Sequence, residues 1–154
     1  MAGNASLAKQ AQIRLFSYIQ RIAPLLGRDR AWRILEDLVS EKRIRWLESQ
    51  QIRPGNPVEE AYRLFYLVYL GLDPGDVEVV EKTPRRLVVR WSNPCPTLEA
   101  CRTLGLDTRY VCKNVYEGST QAFMRRIHRN LRFSRNYDAI RPHSDYCEET
   151  IELA

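Results

Sequence analysis

The sequence predicts an α+β fold: N-terminal helices packed on an antiparallel sheet of about four strands, with short helices inserted between the second and third strands. Two observations predict it. Apolar residues recur every three or four positions as far as about Leu70 and then every second position from Val77 to Ser92. The extended segments arrive as a hairpin and then a late pair, without the strand–helix alternation of a parallel sheet. The 154 residues suit a single domain, with 1–72 as its helical part and 73–154 as its α+β, cysteine-containing part.

The first helix is expected over Ser6–Ile22, with Leu7, Ala11, Leu15, Tyr18, Ile19 and Ile22 on one stripe and Pro24 and Gly27 as breakers. Asp29 then caps a second helix whose stripe is Trp32, Leu35, Leu38, Val39 and Trp46. Asn56 followed by Pro57 and Glu59 starts a third, apolar nearly all round from Ala61 to Leu70. Val77–Thr83 and Leu87–Ser92 read as a hairpin about Pro84-Arg85. Three short helices follow, Pro96–Leu104, Thr108–Tyr116 and one from Ser119 or Thr120 to Ile127. Leu131–Arg135 and Tyr146–Leu153 complete the sheet.

Composition excludes several classes. With 44% apolar and 28% charged residues the chain is neither disordered nor membrane-embedded in character. Its longest apolar run, Leu64–Leu72, is interrupted by Gly71 and falls well short of the roughly 20 residues of a span. Lys9 and Arg14 interrupt the N-terminal apolar positions, so no secretory signal is read and a cytoplasmic address is expected. The net charge of +5 comes from residues 1–55, where ten Lys/Arg face five Asp/Glu.

The chemistry-bearing residues are the cysteines. Cys95, Cys101, Cys112 and Cys147 contain no CxxC pair, so reduced thiols are expected, not a disulfide framework. If Pro96 opens a helix, Cys95 sits at its cap, where free N–H groups and the helix dipole favour a thiolate and lower its pKa. Cys101 lies about 240° around that helix and does not share its face. Cys112 and Cys147 reach Cys95 only through the fold, and the three thiols together would suit zinc or an iron–sulfur cluster as an alternative reading. Glu99, about 40° around the helix from Cys95, is the nearest carboxylate in sequence terms. His128 and His143 are read as surface residues, and one of Glu148 and Glu149 faces the surroundings of Cys147. Arg125–Arg135 carries five cations and no acid, which suits phosphate or single-stranded nucleic acid but equally a solvated strand face. Arg132, Arg135 and Arg141 are the candidates for holding a carboxylate.

Asn93-Pro94-Cys95-Pro96 after a strand, then Gly105-Leu106, Val111-Cys112, Asn130-Leu131-Arg132-Phe133 and Asp145-Tyr146-Cys147-Glu148 before a final strand, resemble the layout of the L-2-aminothiazoline-4-carboxylate hydrolase-like family. The resemblance covers residues 77–153. Cys95, Cys112 and Cys147 match its three cysteine positions, and Cys101 has no counterpart. It implies ring-opening hydrolysis of a small sulfur-containing heterocyclic amino acid, or binding of a comparable carboxylated ligand. The expectation is therefore a hydrolase-like or ligand-binding protein for a small anionic molecule. Cys95 and Glu99 are its candidate catalytic residues, and Cys112, Cys147, Arg132 and Arg141 surround the ligand. A zinc or iron–sulfur protein and a basic nucleic-acid or protein-binding module are the alternatives.

Overall fold

A computed structural model describes residues 2–154. Helix α1 (Ala2–Leu26) runs past Pro24, whose missing N–H removes a single bond in the last turn, and breaks instead at Gly27, where φ is 88°. Gly27 is also the N-cap of α2 (Arg28–Glu48), so Asp29 lies inside the first turn and does not cap it. Asn56 caps α3 (Pro57–Ala61) as expected, accepting from the Val58 and Glu59 N–H groups while its amide donates to the Pro84 carbonyl. Asn56→Ala is expected to lower unfolding free energy by about 1 kcal/mol in urea titration; a loss under a few tenths would contradict the capping role.

From Tyr62 to Tyr69 the third helix continues as a π-helix. After a 3₁₀ turn at Pro74–Asp76 come β1 (Val77–Lys82) and β2 (Arg86–Trp91), the predicted hairpin. Helix α4 (Pro96–Leu104) starts from Cys95 and stops at Gly105, whose left-handed φ of 66° lets the Leu106 N–H reach the Cys101 carbonyl. The two further short helices are one continuous rod: α5 (Thr108–Val111), a π-helical segment (Cys112–Glu117) and α6 (Gly118–Ile127). Strands β3 (Leu131–Asn136) and β4 (Cys147–Leu153) complete an antiparallel sheet of order β1-β2-β4-β3.

Helices cover one face of the sheet. There Leu87, Val89, Ile151, Leu131 and Phe133 pack against Leu64, Phe65, Phe123 and Met124. This core draws on both sides of residue 72. A second core joins Phe16 and Ile19 of α1 to Trp32 and Leu35 of α2 and to Ala100, Cys101, Val111 and Val115. Helix α1 thus packs into a helical layer with α2 and α4, and the expected N-terminal stripes shift accordingly: Tyr18 is 55% and Leu38 54% exposed.

The other sheet face is open and laddered with charge. Strand register places Glu78, Arg90, Glu148 and Asn136 in one row and Arg86, Glu152 and Arg132 in another. Arg90 bonds Glu148 at 2.7 Å and Arg86 bonds Glu152 at 2.6 Å. The β3 edge is closed by the Gln121 side chain, which donates to the Leu131 carbonyl and accepts from the Phe133 N–H as a neighbouring strand would. Among the described residues no helix is long and apolar enough to cross a membrane.

Candidate functional site

A cavity of about 190 Å³ lies between the helical layer and the covered face of the sheet, at the end where β2 and β4 meet α4. Pairing of Trp91 with Cys147 and of Arg135 with Glu149 brings those four side chains to its sheet wall. The helical wall supplies Arg43 from α2, Phe65 from the first π-helical segment, Cys112 and Tyr116 from the second, and Cys95 from the start of α4. An inserted residue in a helix turns the following side chains off the regular 3.6 period, and π segments occur frequently at functional sites. Here both border the same hollow.

Cys95, Cys112 and Cys147, remote in sequence, therefore line one cavity, while Cys101 is sealed in the second core. Among the described residues, no three His, Cys, Asp or Glu side chains are grouped as a metal would need, so the three thiols share a hollow without forming a coordination shell. Neither histidine lines the cavity: His143 pairs with Asp107 at 3.3 Å and His128 accepts the Asn130 N–H.

The two carboxylate positions separate cleanly. Glu99 points outward to Arg102 and Lys9, at 2.9 and 3.8 Å, and is no part of the cavity wall. Glu149 is 1% exposed and accepts from Arg135 Nε and Nη2, at 3.0 and 2.5 Å, and from the Tyr66 hydroxyl at 2.8 Å. The arginines divide too. Arg132 lies exposed on the open sheet face, donating to the Arg129 carbonyl, whereas Arg135 is on the cavity wall. Arg141 is buried beside the cavity: its N–H donates to Cys147 Sγ at 3.5 Å, and its guanidinium donates to the Asn93 carbonyl at 2.7 Å and lies 5.4 Å from the Trp91 ring centre. Glu148 and Glu152 intersperse the open-face arginines and Arg126 pairs with Glu48, so the basic run forms no continuous positive strip.

Arg43 is the residue that sequence reading missed. It is 6% exposed, and Nη1 donates to the Ser119 and Thr120 hydroxyls at 2.9 and 2.7 Å. Phe65, Tyr69 and Tyr116 ring it at 5.4 to 5.6 Å. Among the described residues no carboxylate pairs with it, and burial pulls its pKa down. Arg43 Nε, Trp91 Nε1 and Arg135 Nη1, all on residues of this wall, are sealed from solvent and without an acceptor. The wall thus carries two guanidinium groups against one carboxylate.

Burial favours the protonated form of the Cys95 and Cys112 thiols. Burial pushes Cys95 up; Leu98 and Thr97 N–H groups and the Arg141 charge favour its thiolate, but none closes a capping hydrogen bond and together they fall short of the desolvation. The expected lowering by the helix start is therefore outweighed. Cys112 is pushed up to about 12, again by burial. Alkylation of the native protein against pH, with Cys95→Ser to identify the signal, is expected to show Cys95 reacting only as pH rises above the roughly 8.5 of a free thiol. A rate already saturated near neutral pH would contradict this.

No protein-family model matches the chain, and no curated protein or solved structure resembles it at a significant level.

Proposed function

We propose that the protein binds a small anionic, carboxylated molecule in the cavity lined by Cys95, Cys112 and Cys147. One observation carries this reading: among the described residues buried Arg43 has no carboxylate partner, and the same wall holds a second guanidinium and an indole with unsatisfied donors. A buried charge is costly unless paired, and a carboxylate supplies both the missing charge and the missing acceptors. The volume, below the roughly 300–1,000 Å³ of pockets for drug-sized molecules, suits a small ligand. Thermal unfolding with millimolar phenylacetate and its neutral amide tests it. Phenylacetate is expected to raise Tm and phenylacetamide to leave it unchanged, since a ligand held by the native state stabilises by mass action. Equal shifts, or none, would contradict the reading.

A second reading adds chemistry at the same place: hydrolysis of a cyclic amidine or thiazoline, in line with the family resemblance. It is favoured by the position of Cys95 on the cavity wall at the start of α4, beside the Arg141 charge. In that reading Cys95 is the nucleophile, Cys112 and Cys147 line the ligand, and Arg135 in place of Arg132 meets the carboxylate. The resting thiol would need its proton removed as the ligand binds.

A further inference from the structure

Resting on the anion-binding reading, the distribution of charge and exposure along the cavity narrows the ligand further. Arg135 and Glu149 neutralise one another across two hydrogen bonds, which leaves Arg43 as the unpaired cation of the lining among the described residues; the neighbouring Arg141 is buried outside the lining and donates to the Asn93 carbonyl. Arg43, Phe65 and Glu149 are all buried, so this is the inner end. Leu70, Leu72, Trp91 and Pro96 are only partly buried and Pro94 is exposed, so the outer end is apolar. We infer that the cavity takes an amphipathic monocarboxylate, its carboxylate innermost beside Arg43 and Arg135 and its apolar body lying towards Leu70, Leu72 and Trp91. A second carboxylate would meet either Glu149 or an apolar rim, and each is unfavourable. An uncharged apolar molecule would leave Arg43 unpaired.

Isothermal titration with hexanoate, acetate, adipate and 1-hexanol separates these possibilities. Hexanoate is expected to bind about tenfold or more tighter than acetate, because its added methylenes leave water at the rim, and about tenfold or more tighter than adipate. Acetate binding as tightly as hexanoate, or adipate as tightly, would overturn the amphipathic monocarboxylate while leaving an anion site. Hexanol binding as tightly as hexanoate, or none of the four binding saturably, would overturn the anion site as well. Arg43→Met serves as the site control: hexanoate affinity is expected to fall in it, and unchanged affinity would show that the carboxylate lies elsewhere, overturning the proposed orientation.

Discussion

Glu149→Ala is expected to destabilise the protein by about 3–5 kcal/mol, read from urea unfolding. The carboxylate is the only one paired with Arg135 among the described residues, and it also accepts the Tyr66 hydroxyl. Truncation strands a buried guanidinium and a buried phenol at once. Against a total of about 5–15 kcal/mol for a native domain, such a loss is a large fraction of the stability. The magnitude belongs to the broken pair and not to the intact one, since a buried ion pair nearly breaks even against apolar side chains of similar volume. Combining Arg135→Met with Glu149→Leu is accordingly expected to recover the part of the loss due to the stranded guanidinium, leaving about 1–3 kcal/mol for the unpaired Tyr66 hydroxyl. A single variant within about 1 kcal/mol of wild type would mean that the pair is far better solvated than its burial implies.

Arg43→Met is expected to behave in the opposite way, with stability within about 1 kcal/mol of wild type and hexanoate affinity reduced at least about thirtyfold. Ser119 and Thr120 keep the Tyr116 carbonyl as acceptor when Arg43 is gone, so no buried hydroxyl is stranded. Loss of the contacts to Phe65, Tyr69 and Tyr116 is offset by relief of an unpaired buried charge. A residue that contributes little to stability and much to binding is the pattern expected where a site is retained for function. Strong destabilisation with unaltered affinity would make Arg43 a structural residue.

Much of the fold is legible in the sequence because its signals are local. Asn56-Pro57, Cys95-Pro96, Gly105 and Asp107 each fix a helix boundary through the chemistry of one or two residues, and the valine-rich hairpin follows from its period of two. The π-helical segments are not legible: Tyr62–Tyr69 and Cys112–Glu117 read as ordinary apolar helix, and nothing in their composition announces the wider turn. Strand parity does separate Arg132 from Arg135, since Arg135 shares the face of Leu131 and Phe133. Parity likewise places Glu149 inward once Val89 is known to oppose it.

The site is legible only in part. Gathering Cys95, Cys112 and Cys147 needs three elements to converge, and their spacing alone does not specify it. Glu99 lies near Cys95 on a helical wheel, yet Arg102 and Lys9 hold it on the solvent side. Arg43 sits in the run Glu41-Lys42-Arg43-Ile44-Arg45, where Glu41, Lys42 and Arg45 are exposed. Its helical phase, four residues after Val39 and three before Trp46 on the stripe of α2, is the sequence signal for burial, and Phe65, Tyr69 and Tyr116 brought by other elements complete its surroundings.

The decisive measurement is a crystal structure with 6-bromohexanoate, whose bromine reports the orientation by anomalous scattering. The carboxylate oxygens are expected within hydrogen-bond distance of Arg43 and Arg135, with bromine near Leu70 and Trp91. Bromine at the Arg43 end, or a saturated crystal whose cavity holds no carboxylate, would contradict the account.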